Sequence, residues 1–368
     1  MRYTTIPMVP GPVTLHPDVL AALARDYPSG QVDEAFMPLY THTGVALGAL
    51  MGTANDVVLM TGEGMLALWG ALKSTLRPGD KVLSVGTGVF GDGIGDMAAS
   101  IGCEVCKVSL PYDETIGATR EALAPIEEAI ARFRPHMLTA VHCETPSGTL
   151  NPLAALGDLR RELGVPLFYV DAVASVGGAP VEADAWGVDL ILGGSQKCLA
   201  APPSMSFVGV SPAAWERIEE VGYQGYDALA PFRNVQRQGR CPYTPYWHGI
   251  AALAAGAEAI LREGMDNVFR RHAEVAAHCR KRIAELGLSL WTAPDAVNSP
   301  TVTAVNLPVG ISWPRWKQAL LERDLAITGS FGPMAGKVFR IGHMGTQAHF
   351  DLVDAALDVI AGTLHGMR

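Results

Sequence analysis

The run from Pro166 to Ser211 reads PLFYVDAVASVGGAPVEADAWGVDLILGGSQKCLAAPPSMSFVGVS, and its reading decides the fold. It holds three short apolar runs: PLFYVDAV (166–173), DLILGG (189–194) and MSFVGVS (205–211). Runs of this length, β-branched and without polar alternation, suit strands covered on both faces, as in a parallel sheet flanked by helices. The same alternation extends upstream. VVLM (57–60), KVLSV (81–85), EVCKVSL (104–110) and MLTAVH (137–142) read as strands. Helical patterns at Gly64–Leu76, Gly91–Ile101, Arg120–Phe133 and Pro152–Leu163 separate them. This is an α/β domain with a mostly parallel sheet. After Thr244 the pattern changes to two long helices, His248–Glu263 and Met265–Leu286. Strands near Leu288–Trp291, Thr301–Leu307 and Lys337–Ile341 follow, with helices at Trp313–Glu322 and His349–Leu364. The expected organisation is an N-terminal segment (1–16), a large domain (17–262) and a smaller C-terminal α+β domain (263–368).

Composition narrows the function. Of 368 residues, 49% are hydrophobic and only 18% charged, which excludes a disordered chain. The 28 Lys and Arg against 37 Asp and Glu leave a net charge of −9. Without a basic cluster, that balance argues against nucleic acid and against an anionic membrane surface. The charge-poor run 35–55 carries Pro38, His42 and helical periodicity, so it reads as a buried helix rather than a membrane span. MRYTTIPMVPGP lacks an apolar signal core, and a cytoplasmic protein is expected. Six cysteines in a chain this long do not make a disulfide framework. Cys103 and Cys106 form a CxxC, but on an apparent strand and without a second ligand pair; no metal is expected. There is no G-x-G-x-x-G after a strand and no P-loop, so dinucleotide and NTPase readings lose their main support.

In an open parallel sheet, ligands gather beyond the carboxyl ends of the strands. Asp171 closes PLFYVDAV. An Asp there is often only a turn residue, yet the small apolar run after it would let a flat ring lie beside the backbone. Lys197 follows DLILGG and is surrounded from Leu190 to Ser204 by uncharged residues. Most lysines are solvated; a desolvated amine has a lowered pKa and can attack a carbonyl to form an imine. A third group, His142, Glu144, Thr145 and Ser147, ends another strand in VHCETPSGTLNP. A strand-end Asp followed by a strand-end Lys suits pyridoxal chemistry. Lys197 captures the aldehyde and then acts as general base, while Asp171 keeps the pyridine nitrogen protonated. Val173 can press on one ring face and Phe90 can stack on the other, although Phe90 alone reads more readily as a core residue.

HCETPSG, VDAVASVGG, GGSQKCLAAPP, YTP and RIGHMG resemble, in order and spacing, the class V aminotransferases of fold type I. The resemblance is to the alanine–glyoxylate and serine–glyoxylate group and covers nearly the whole chain. It implies a homodimer, or a tetramer, with the active site shared between subunits. It implies pyridoxal 5'-phosphate as cofactor and an amine and a 2-oxo acid as substrates. Lys197 takes the place of the imine lysine and Asp171 that of the pyridine-nitrogen partner. Phe90 replaces the usual Trp or Tyr stacker, Thr145 lies near the ring hydroxyl, and Tyr243 and Thr244 come from the partner. Arg340 holds the substrate carboxylate, a task suited to its planar fork. Some relatives of this fold cleave C–S bonds with a loop cysteine, but Cys143, Cys198 and Cys241 sit in motif positions here.

One turn departs from that family. Where a Ser/Thr-rich turn normally binds the cofactor phosphate, this chain has Thr61-Gly62-Glu63-Gly64. A carboxylate beside a dianionic phosphate is repelled by several kcal/mol at about 4 Å in a partly dry site. Glu63 suits a neutral hydroxymethyl group instead, which points to pyridoxal or pyridoxamine without phosphate, bound as substrate. The other reading has Glu63 turned outward as a helix-start residue, with Thr61 and Gln196 holding phosphate. The Gly-Glu turn, TPSGTLNP, KCLAAPP, SPTVTAV and RIGHMG resemble a branch acting in vitamin B6 degradation. That branch moves the amino group of pyridoxamine to pyruvate, giving pyridoxal and alanine. It has a second Arg where this chain has Phe331, which bears on the identity of the 2-oxo acid.

Overall fold

The computed structural model describes residues 6–367. Seven strands form one sheet in the order Asp56–Thr61, Met205–Val210, Leu190–Gly194, Leu167–Asp171, Met137–Val141, Lys81–Gly86, Glu104–Ser109. Met205–Val210 runs antiparallel to both neighbours; every other pairing is parallel. The reason is chain length. Parallel neighbours need a crossover of a dozen or more residues, and the link from Gly194 to Met205 is too short to hold one. The other strands are joined by helices such as Gly64–Thr75, Val89–Ser100 and Arg120–Phe133. All their carboxyl ends therefore open on one edge.

The helix expected within 35–55 spans Phe36–Met51. It stops there because Gly52 turns left-handed (φ 61°) and its N–H closes onto the carbonyls of Ala49 and Gly48. Phe36, Leu47 and Leu50 of this helix lie in the main core with Leu83, Leu138, Phe168 and Phe207. No described helix is long and apolar enough to cross a membrane.

A second core brings together Val275, Cys279, Trp316, Phe339, Val353 and Leu357. It lies on a three-stranded antiparallel sheet, Val302–Asn306, Val338–Gly342 and Thr328–Gly329, and on helices Met265–Glu285 and Phe350–Met367. The strand expected at Leu288–Trp291 does not form. Leu290 makes an isolated bridge to Val305 and the chain then turns away through Pro294. Met8 joins this second core, so the N-terminal segment is tied across the molecule. Its Val9–Val13 stretch runs past the edge where the large sheet's strands end: the Val13 N–H donates to the Gln196 carbonyl (3.2 Å) and Gly342 N–H to that of Met8 (2.9 Å).

Candidate active site

One pocket at that edge is lined by Glu63, Gly64, Phe90, Thr145, Asp171, Val173, Gln196 and Lys197, together with Met65, Leu68, Cys143 and Ala174. Its walls come from five strand ends, which is why residues so far apart in sequence meet. Gly64 and Gly194 are glycines for a steric reason: a Cβ at either would come within 3.1–3.2 Å of Val173. Their absence lets Val173 press between the start of helix Gly64–Thr75 and the end of strand Leu190–Gly194.

Glu63 does not face outward. It precedes the helix in extended conformation, makes no side-chain cap bond, and its Oε2 accepts from Gln196 Nε2 at 2.9 Å. That bond orients the Gln196 amide. With the NH2 turned to the carboxylate, Gln196 Oε1 points away, and it is buried without a hydrogen-bond partner. An unpaired buried acceptor costs about 1–3 kcal/mol. The Glu63 carboxylate on the pocket wall thus offers an acceptor, which suits a neutral hydroxyl donor and repels a dianion. Gly62, just before Glu63, lies outside the pocket wall, and Thr61 is exposed on a different cavity.

Asp171 is 7% exposed; its Oδ1 accepts from the Val173 N–H at 2.8 Å. Burial raises its pKa to about 6, against the opposing pull of Lys197. Its other oxygen makes no hydrogen bond among the described residues and is left for the pocket. Lys197 donates to the Pro10 carbonyl at 2.7 Å, so the N-terminal segment holds the amine in place. Gly11 permits this approach, because a Cβ there would lie 2.8 Å from Nζ. Burial lowers the Lys197 pKa, and Arg340 lowers it further.

Arg340 lies on strand Val338–Gly342, beside rather than on the wall of this pocket. It is 3% exposed and is the one fully buried arginine among the described residues. Its Nε donates to the Gly329 carbonyl at 2.9 Å, and among the described residues it has no carboxylate partner. Burial pulls its pKa down to about 10. A buried cation with no protein anion is poised to receive one from a ligand.

Phe90 sits in the first turn of a helix that spans Val89–Ser100, starting before the expected Gly91. Glu144 explains the early start. Fully buried, it accepts from the Gly91 N–H at 2.6 Å and the Phe90 N–H at 3.3 Å, giving partners to two of the donors at the start of the helix. Burial pushes Glu144 up to about 8, and those two N–H groups pull it back. Of its strand-end group, only Thr145 lines the pocket. His142 bonds Ser175 (2.9 Å) and packs edge-on to Trp186, and Ser147 bonds Thr149 (2.8 Å). Tyr243 and Thr244 line a separate cavity with Tyr40, Tyr226 and Cys241. Within one chain they do not reach Lys197. Sequence reading missed Pro10 and the helix-anchoring role of Glu144; PGP at 10–12 and GTG at 86–88 are the signals that mark such close approaches.

The Aminotransferase class-V family model matches residues 50–343. A pyridoxamine–pyruvate transaminase from Mesorhizobium japonicum is 33% identical, covering 99% of this chain and 94% of that protein. The crystal structure of pyridoxamine–pyruvate aminotransferase from Mesorhizobium loti superposes with a TM-score of 0.93 at 31% identity, covering 99% of this chain and 93% of the other. That of alanine–glyoxylate aminotransferase from Nostoc sp. gives 0.92 at 30% identity, covering 99% and 96%.

Proposed function

Since the chain belongs to the class-V aminotransferase family, we propose that it takes unphosphorylated pyridoxamine as amino donor and pyruvate or a related 2-oxo acid as acceptor. The products are pyridoxal and L-alanine. The observation that carries this reading is the Glu63 carboxylate on the pocket wall, held there by the Gln196 amide. A hydroxymethyl group can donate to that carboxylate; a phosphate dianion cannot.

When bound, the pyridine ring supplies the electron sink that lets a proton leave the amino-bearing carbon. The chain's own residues do the rest. Val173 and Phe90 would hold the ring between them, with Thr145 near its hydroxyl. Asp171, through its free oxygen, would keep a proton on the pyridine nitrogen. Lys197, whose pKa burial and Arg340 lower, would take the proton from the amino-bearing carbon and return it to the carbon on the other side of the nitrogen. Arg340 would seat the carboxylate of the 2-oxo acid in its fork. Tyr243 and Thr244 would come from a second copy in a homodimer. Six unpaired cysteines suit a reducing cytoplasm, where the reaction would serve the degradation of vitamin B6.

One observation favours a second reading. Helix Gly64–Thr75 begins at the pocket wall, and its first-turn N–H groups suit a phosphate. A conventional aminotransferase with resident pyridoxal 5'-phosphate would use them. Turnover with pyridoxamine and with pyridoxamine phosphate, at fixed pyruvate, separates the two when wild type is set beside Glu63→Ser. The wild type should prefer the unphosphorylated donor, and the variant should move the ratio of kcat/KM toward the phosphorylated one by about a hundredfold. A wild type that prefers the phosphorylated donor, with a ratio that Glu63→Ser leaves alone, would hand the site to the second reading.

A further inference from the structure

The N-terminal segment meets Lys197 with an acceptor and no free donor. Pro10 and Pro12 have no N–H, and the Gly11 N–H is engaged by the Val9 carbonyl at 2.9 Å. The Pro10 carbonyl is left for the Lys197 amine, which donates to it at 2.7 Å; among the described residues it accepts from no other group. A turn of the C-terminal region clamps this strap. Gln347, fully buried, donates through its amide to the Val9 carbonyl at 2.8 Å and to that of Gly342 at 2.6 Å. Beside it, Thr346 Oγ1 donates to the Thr14 carbonyl at 2.6 Å. Gly342 packs so closely that a Cβ there would overlap the Val9 carbonyl. The strap is therefore fixed on both sides of Pro10, and its carbonyl cannot follow the amine when the amine moves.

Imine formation works against this bond. When Nζ joins the aldehyde carbon of pyridoxal, a C=N bond replaces C=O, and the oxygen leaves as water with both amine hydrogens. A neutral imine nitrogen has no hydrogen left for Pro10. A protonated one keeps a single hydrogen in the plane of the C=N bond, where the neighbouring ring oxygen of pyridoxal accepts it. In both forms the Pro10 carbonyl loses its donor. Pro10 is buried, so the loss leaves an acceptor unpaired, at a free-energy cost.

Resting on the reading of Lys197 as the lysine that captures the aldehyde, we propose that the strap around Pro10, clamped by Gln347, holds Lys197 as the free amine and so weakens its imine with pyridoxal, promoting release of that product. Neither Pro10 nor Gln347 lines the ring pocket; both are positioning residues that act through Lys197. A donor that arrives as pyridoxamine leaves as pyridoxal, and an amine kept on Pro10 does not hold it back.

The test titrates pyridoxal into wild type, Gln347→Leu and Gly11→Ala, all free of vitamin B6. Absorbance reads the imine, and borohydride reduction followed by mass spectrometry locates it on Lys197. Gln347→Leu releases the clamp. Gly11→Ala parts the amine from the carbonyl by a second route, since Gly11 sits at φ 84° and a Cβ there would lie 2.8 Å from Nζ. In both variants the equilibrium constant for imine formation should rise about tenfold. 4-Deoxypyridoxine, with a methyl group where pyridoxal has its aldehyde, should bind all three proteins within about twofold of one another, which a general loosening of the pocket would not allow. The same titration with pyridoxal 5'-phosphate reads which form of vitamin B6 the site prefers. Failure of the donor assignment shows in that preference, and failure of the strap shows in the response to substitution. An imine constant that stays within about twofold of wild type or falls in either folded variant, a rise that 4-deoxypyridoxine shares, or an imine on another lysine overturns the proposal.

Discussion

Asp171 is held in the pocket as a carboxyl that burial makes reluctant to ionise, with a pKa near 6. In the unfolded chain it would titrate near 3.8. The folded protein thus binds this proton more tightly than the unfolded one. The stability this contributes is fully present below the ordinary carboxyl pKa and is lost as pH rises through about 6. Protein free of vitamin B6 should therefore lose up to roughly 3 kcal/mol relative to Asp171→Asn between pH 4 and pH 7. Urea denaturation of both proteins across that window measures it. Pyridoxal, whose protonated ring nitrogen gives the carboxylate a partner, should return most of the loss in wild type and little in the variant. Parallel curves for the two proteins would assign the raised pKa to some other group. The residue's place at a strand end is legible in sequence; its unpaired oxygen is not, because that depends on what the neighbouring strand ends leave open.

At the scale of elements, the connection that matters most joins Glu144 to helix Val89–Ser100. The carboxylate lies so close to the chain before that helix that a Cβ at Gly88 would meet Glu144 Cδ at 2.5 Å. Phe90 owes its position to this anchoring. Glu144→Gln keeps the size but puts an NH2 where one of two N–H groups needs an acceptor, costing about 1–3 kcal/mol. The KM for pyridoxamine should rise about tenfold while that for pyruvate changes less than about twofold, since Arg340 lies on a different element. Both constants come from one grid of initial rates, and equal rises would mean a general loss of packing. Reading the sequence finds the elements well where apolar runs are continuous. It misplaces the start of this helix because the group that caps it arrives from Glu144, far along the chain. Likewise Met205–Val210 is equally apolar in either direction, and only its short link makes it antiparallel. Leu288–Trp291 carries strand-like residues but finds partners at one bridge only.

The whole molecule works as one edge, where five strand ends meet, closed from outside by Val9–Val13. Lys197, Asp171, Glu63, Gln196, Thr145, Val173 and Phe90 are legible because each follows an apolar run or a glycine turn, and the sheet gathers them into one pocket. Pro10 is not, since nothing near it in sequence names Lys197 as its partner. Tyr243 and Thr244 stay in another cavity of the same chain, so the contribution expected of them would need a second copy. What sets this edge apart chemically is the Glu63 carboxylate on the pocket wall, bonded to Gln196 at the start of helix Gly64–Thr75. The most direct measurement is equilibrium binding of pyridoxal and of pyridoxal 5'-phosphate to protein stripped of vitamin B6, followed by absorbance and then by dialysis. Pyridoxal should bind at least about tenfold more tightly and wash out; pyridoxal 5'-phosphate binding more tightly and remaining through dialysis would contradict it.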